Sequence, residues 1–320
     1  MARDVQVESV GNASYRVRYA LPERPPTVSI IVPSTGKPHV LRPCIESLLE
    51  RTSYPDVELI VVANQTGNRE PESTSYLDSV AAHPQARVLL YDAPTYNFSK
   101  TNNWAVEQAR GELICFLNDD TEVIGSGWLA AMVSQILQDR VAAVGAKLLY
   151  PNGRIQHAGI VLGAGGVAAH TYRGSRNGIY GYHDRALVDQ DVASVSAACM
   201  LVRRGAFEEV GGFDPALAVS YNDVDLCLRL RESGWRIVWT PSAELYHKEA
   251  ASFGAHYVGE TASQWEFELD LIRSRWADDL SSDPHYSPNL ALDALHLWQP
   301  AFPPRVSYPW RASSPAEQRQ

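Results

Sequence analysis

From Thr27 onward, short apolar runs alternate with longer segments in which apolar residues recur at helical spacing. The run Val28–Val32 is followed by a helical stretch marked by Leu41, Ile45, Leu48 and Leu49, and then by Val57–Ala63. The rhythm continues through Arg87–Tyr91, a helix over Ser99–Arg110, the run Glu112–Leu117, a helix over Trp128–Leu137 and the run Val141–Leu149. Gly111 stands where a helix C-terminal cap is expected. Strands that are apolar at successive positions, rather than at alternate ones, are buried on both faces. The pattern therefore predicts an α/β fold with a mainly parallel, Rossmann-like sheet flanked by helices.

The flanks read differently. Residues 1–26 close on the Pro-rich stretch Leu21–Pro26, which suits neither a helix nor a central strand and reads as a lead-in arm. Beyond residue 150 come Gly-rich turns and loops rich in His, Tyr and Arg, up to about Gln190. Apolar structure resumes at Val192–Val202, then a short helix ending at Gly211-Gly212, a helix over Asn222–Ser233 stopped by Gly234, and a strand over Trp235–Trp239. A last helix over Glu260–Trp276 precedes a Pro-rich tail expected to lie over the surface or stay mobile. The organisation is thus an arm (1–26), a domain over 27–255 with halves 27–150 and 151–255, and a C-terminal helix and tail (256–320).

Composition narrows the function classes. Hydrophobic residues at 45% against charged residues at 20% exclude a disordered chain. Asp and Glu number 37 and Lys and Arg 28, a formal charge of −9, opposite in sign to the footprint of a nucleic-acid binder. No apolar run approaches the roughly 20 residues that span a bilayer, and the N-terminus lacks a signal-peptide layout, so a cytoplasmic protein is expected. Cys44, Cys115, Cys199 and Cys227 are dispersed and read as reduced core residues. Sequons at Asn12, Asn64 and Asn97 carry no weight without a secretion signal.

In an open α/β sheet, ligands bind beyond the carboxyl ends of the strands, so polar residues just after apolar runs are the candidates. Four places qualify: Pro33-Ser34-Thr35-Gly36, Asn64-Gln65-Thr66-Gly67, Asn118-Asp119-Asp120, and Tyr96–Asn103 at a helix start, where free N–H groups favour anions. Adjacent aspartates are costly to hold together without a cation beside them, and a hard divalent ion is the usual solution. The competing reading is a turn in which Asp120 or Thr121 caps the helix near Trp128. An aspartyl phosphatase loop would need its nucleophile at position 118, which is Asn. At Tyr221–Asp225, Asn222 reads as a helix cap and Asp225 as the partner of Arg229, leaving Asp223 to face a pocket with a pKa lowered by the helix N-terminus. His247 gains interest only in company.

The ordered set Val28–Pro33, Val61–Asn64, Asn97–Asn103, Phe116–Val123, Gly211–Asp214, Asn222–Leu230 and Tyr246-His247 closely resembles family 2 glycosyltransferases of the GT-A fold. Within that family, Arg154–Gly159 and Asp283–Leu290 look most like the bacterial rhamnosyltransferase-type enzymes of O-antigen, capsule and cell-wall polysaccharide synthesis. The resemblance implies a nucleoside-diphosphate sugar donor, dTDP- or UDP-linked, flanked by Pro33, Ser34, Thr35 and Asn64 and closed over by Ser99, Asn102 and Asn103. Asn118, Asp119 and Asp120 take the place of the Asp-x-Asp motif, with Asp120 and His247 as ligands of Mg²⁺ or Mn²⁺ and Asp223 as general base. This chain departs from the family pattern at Asn118, at Asn222 and at Ala63-Asn64-Gln65.

The implied reaction is a single inverting displacement onto a glycan or lipid-linked glycan, at the inner face of the membrane and alongside other polysaccharide-assembly enzymes. The loops holding His157, His170, Tyr172, Arg173, Tyr180, Tyr182 and His183 are the expected acceptor surface. The arm resembles the lead-in to such domains within longer enzymes. Two alternatives stand beside this reading. One is a catalytically silent sugar-nucleotide-binding scaffold, favoured by Asn118, Asn222 and Ala63. The other is a nucleotidyltransferase, which would need a richer phosphate loop than Ser34-Thr35-Gly36-Lys37.

Overall fold

A computed structural model of the chain describes residues 4–65, 71–93, 95–248 and 260–306. Thr66 and Gly67 of the second candidate place, the boundary at 255/256 and the tail beyond 306 lie outside the described residues.

The chain forms β1 (Val5–Val10), β2 (Ser14–Tyr19), β3 (Val28–Ser34), α1 (Pro38–Arg51), β4 (Val57–Gln65), α2 (Pro71–Ala81), β5 (Ala86–Asp92), α3 (Phe98–Gln108), β6 (Leu113–Leu117), β7 (Thr121–Val123), α4 (Trp128–Ile136) and β8 (Val141–Leu149). The second half adds β9 (Ile155–His157), β10 (Ile160–Leu162), β11 (Ala168–His170), β12 (Gln190–Asp191), β13 (Cys199–Arg203), α5 (Arg204–Glu209), α6 (Asn222–Glu232), β14 (Arg236–His247), α7 (Glu260–Arg275) and α8 (Ala277–Ser281).

The main sheet runs β12-β14-β8-β13-β6-β3-β4-β5, with β7 on β14 and β9 on β8. Its central strands β3, β6 and β8 are buried at every position because both faces are covered. Ile30, Val32 and Val61 pack with α1, α2 and α4, whereas Ile31, Ile60 and Val62 pack with α3, α5 and α6. The strands β6, β3, β4 and β5 are parallel, as are β14 and β8. Between these groups β13 runs antiparallel to both β6 and β8. A strand buried on two faces reads the same in either direction, so this reversal leaves no trace in hydropathy.

Three local expectations are corrected. The arm is not featureless: β1 and β2 form an antiparallel hairpin whose turn, with Gly11 at φ +63°, closes on Asp184. The Asp184 carboxylate accepts from the Asn12 and Ala13 N–H groups and the Ser14 hydroxyl. Gly111 is not a helix cap. The cap of α3 is Ala109, and Gly111 is required because a Cβ there would lie 2.5 Å from the Ser29 nitrogen. The helix α2 had no counterpart in the sequence reading. All four cysteines are buried and free.

Candidate functional site

The carboxyl ends of β3, β4 and β6 lie side by side through the parallel register, which places Ser34 opposite Ala63, one residue before Asn64. After β6 the chain turns at Asn118–Asp120 and enters β7, with the Thr121 hydroxyl and N–H both donating to the Asn118 carbonyl. The turn therefore leads to a strand. The alternative in which Asp120 or Thr121 caps a helix is corrected, since the cap of α4 is Gly127.

Register brings the histidine in. Pairing of β7 with β14 sets His247 opposite Thr121, and the Lys248 N–H donates to the Asp120 carbonyl at 3.0 Å. His247 Nε2 consequently lies 3.1 Å from Asp120 Oδ1 and 3.3 Å from Asn118 Nδ2. On the other side of the ring, Nδ1 is 2.6 Å from Gln156 Oε1. Asp119 accepts from the Ser34 hydroxyl at 2.6 Å, and Ser34 in turn accepts from the Gly36 N–H. Both aspartates are buried. Tyr96 joins them: burial, and then the charges of Asp119 and Asp120, push its phenol well above the ordinary value.

A carboxylate oxygen and an imidazole nitrogen about 3 Å apart match two adjacent corners of an octahedron around Mg²⁺, whose ligand distances are about 2.1 Å. The pair fits a divalent cation only if further ligands come from outside these side chains. Among the described residues no group of three or more His, Cys, Asp or Glu side chains is placed to hold a metal by itself.

Asp223 stands at the start of α6. The cap is Tyr221, in the left-handed region at φ +58°, and Asn222 instead donates from its side chain to the Val219 carbonyl. Asp223 Oδ2 accepts the Ala197 N–H at 3.1 Å, and the adjacent Ala198 carbonyl accepts the Asn118 N–H at 3.1 Å. Two consecutive residues thus tie Asp223 to the Asn118–Asp120 turn. Its pKa is raised by burial against the opposing pull of the Ala197 and Val224 N–H groups. The expected lowering by the helix terminus is corrected, because desolvation by burial outweighs the hydrogen bonds from Ala197, Val224 and Ser196 that favour the charged form.

The helix start at Tyr96–Asn103 departs from its expected role as an anion cradle. The Asn97 side chain accepts the Lys100 N–H, the Phe98 N–H goes to the Ala218 carbonyl, and the Thr101 N–H goes to Asn97. The Ser99 hydroxyl donates to Leu217, and both ends of the Asn103 amide bind the Phe213 backbone. These side chains hold α3 to the 213–218 segment. Asn64 donates to Thr101, Asn102 donates to Phe98 within its own helix, and the two amide oxygens are buried without a hydrogen bond. Thr35 Oγ1 is likewise buried without one, next to Pro33 and Ser34 at the end of β3.

The expected acceptor loop is partly packed away. His157 is 1% exposed and lies in β9, where burial, with His170 and His247 nearby, lowers its pKa well below the ordinary value. Tyr172 and Tyr182 stack on Trp298 from the C-terminal segment, at ring separations of 5.6 and 5.4 Å. Arg173 donates to the Tyr150 hydroxyl, while Tyr180 and His183 remain exposed. Gln156 had no role assigned from sequence. It is an uncharged residue 91 positions from the histidine it touches, and no local signal marks it.

With this arrangement established, its relatives can be named. The family model described as Glycosyltransferase like family 2 matches residues 25–262, and the chain belongs to that family. The fold is that of GT-A glycosyltransferases. A solved neighbour is GalNAc-T7 with UDP, GalNAc and Mn²⁺, with a TM-score of 0.64 and 14% identity over 82% of this chain and 50% of that one. The chain is 43% identical over 281 residues to the uncharacterised protein y4gI of Sinorhizobium fredii, covering 88% of this chain and 31% of that protein. It is 39% identical over 293 residues to the O-antigen biosynthesis protein RfbC of Myxococcus xanthus, covering 90% and 22%. A 92-residue stretch, 28% of this chain and 30% of the relative, is 39% identical to the N-acetylglucosaminyl-diphospho-decaprenol L-rhamnosyltransferase of Mycobacterium tuberculosis. The chain spans less than a third of the length of these curated relatives.

Proposed function

We propose that the chain is a cation-dependent, inverting glycosyltransferase module that moves a sugar from a nucleoside diphosphate to a glycan or lipid-linked glycan acceptor in surface polysaccharide synthesis. The observation that carries this reading is the meeting of Asp120 Oδ1 and His247 Nε2, 3.1 Å apart, beyond the strand ends of a family 2 chain. Rhamnose as the transferred sugar rests on the rhamnosyltransferase relative, and dTDP or UDP as its carrier on the resemblance of the sequence motifs to the family. A lipid-linked acceptor would bring the protein to the inner face of the membrane, beside other assembly enzymes. No described helix is long and apolar enough to cross that membrane.

Asp120 and His247 would hold Mg²⁺ or Mn²⁺, whose charge stabilises the diphosphate as it departs. The residues of the chain do the rest. Asp223 accepts the proton of the acceptor hydroxyl as its oxygen bonds to the anomeric carbon, while the bond from that carbon to the diphosphate oxygen breaks on the opposite face. A carboxylate with a raised pKa is a stronger base than an exposed one, which suits this role. Asp119 is bound to Ser34 and so orients the turn. Pro33, Thr35 and Asn64 at the strand ends, with Asn102 of α3, would flank base and ribose, and Ser99 and Asn103 would support them through their hydrogen bonds to the 213–218 segment.

The test is calorimetric titration with UDP, dTDP and GDP and their common sugars, with Mn²⁺ or Mg²⁺ and then with EDTA. Cation-dependent binding of one nucleotide is expected. Binding of none by the folded protein would overturn the reading.

A further inference from the structure

The short strand β9 touches both halves of the site through consecutive residues. Gln156 is buried, and its amide is engaged twice by one residue: Oε1 meets His247 Nδ1 at 2.6 Å, and Nε2 donates to the His247 carbonyl at 3.4 Å. The second contact fixes the amide orientation, since a flipped amide would set two carbonyl oxygens against each other. Gln156 therefore presents an acceptor to Nδ1, so the neutral ring carries its proton there and leaves Nε2 to accept from the Asn118 amide at 3.3 Å, beside Asp120 Oδ1 at 3.1 Å, where a cation would be shared by the two. The next residue, His157, accepts the Ser196 N–H at 3.3 Å, immediately before the Ala197 N–H that binds Asp223.

We infer that Gln156 is a positioning residue that sets the tautomer and ring plane of His247, and that with His157 it holds the cation side and the base side of the site in one frame. The inference rests on the functional reading above, in which His247 is a cation ligand. Its physical basis is general. A ligating imidazole is oriented by the partner of its other nitrogen, and loss of that partner costs roughly 10–100-fold in metal affinity.

Two measurements test it. In metal-free protein in alkaline buffer, nitrogen-15 spectra of the histidine rings, with His247→Gln identifying the resonance, should show His247 protonated at Nδ1. Gln156→Leu should mix the tautomers, and Gln156→Glu, which keeps an acceptor, should restore the wild-type form. By calorimetry with Mn²⁺ and the nucleotide bound by the wild type, Gln156→Leu should bind the cation roughly 10–100-fold more weakly, and Gln156→Glu within several-fold of wild type. A wild-type ring protonated at Nε2, or an unchanged tautomer in Gln156→Leu, would overturn the inference. So would unchanged cation affinity in that folded variant. The wild-type spectrum decides even if Gln156→Leu does not fold. Absence of cation binding by the wild type would count against the functional reading, while the tautomer result still decides the positioning role.

Discussion

The two sides of the sheet's carboxyl edge are held by different forces. From β3 to β6, order comes from apolar side chains interleaved on both faces, such as Ile60 and Val62 on one and Val61 on the other. Beyond residue 150, apolar clusters such as that of Leu217, Leu228, Ile272 and Trp276 are joined by buried carboxylates that grip backbone N–H groups and arginines. Glu268 of α7 is fully buried and accepts the N–H groups of Ala218, Val219 and Ser220, the segment that leads into α6. Asp225 is also fully buried, shared between Arg229, Arg275 and the Trp276 indole. Asp283 accepts the Leu162 N–H, and Asp184 fastens the N-terminal hairpin. Dispersive packing tolerates small changes of shape, but a buried charge tolerates no loss of its partners.

The largest effect should come from the side held by polar bonds. Asp223→Ala should lower turnover by roughly 10²–10⁴-fold while nucleotide binding persists, as seen by steady-state kinetics beside calorimetry. Unimpaired turnover would remove Asp223 from the reaction. Next, Asp225→Ala leaves Arg229 without its carboxylate and Arg275 with Asp214 alone, and should cost about 3 kcal/mol in denaturant unfolding, the lower end for a buried pair because both arginines are partly exposed. Ile60→Val on the packed side should cost only about 1 kcal/mol. If the two costs came out equal, the contrast between the regions would fail.

The smallest effect is in pH dependence. The folded-state pKa of Asp223 lies above its unfolded value, so ionisation opposes folding. The stability contribution of this group is therefore most favourable in acid and declines as pH rises from the unfolded pKa through the folded one. Thermal unfolding of Asp223→Asn against wild type should show a difference that shrinks toward low pH. Turnover should show an acid limb above the ordinary Asp value of about 3.9, because the base must be ionised.

The same contrast governs what the sequence discloses. Burial on both faces writes itself into consecutive apolar residues, so β3 to β8 and their helices were legible to within a few residues, α2 and β7 excepted. The Asp119-Asp120 doublet was visible because Asn118 and two charges after Phe116-Leu117 break that pattern. Contacts made by single polar side chains across long separations have no such signature. Gln156 on His247, Ser34 on Asp119 and Glu268 on 218–220 all belong to this class. The direction of the Asp223 shift was misread for the same reason: the helix terminus is local, whereas burial of the carboxylate is a property of the tertiary fold. Ser99 and Asn103 lie beside the site in sequence, yet their hydrogen bonds support α3.

The central claim is that the cation side and the base side are separate functions meeting at one turn. It is tested most directly by measuring Mn²⁺-dependent nucleotide affinity in wild type, Asp120→Ala and Asp223→Ala. The expected result is cation-enhanced binding in wild type and Asp223→Ala and its loss in Asp120→Ala. Equal enhancement in Asp120→Ala would contradict the account.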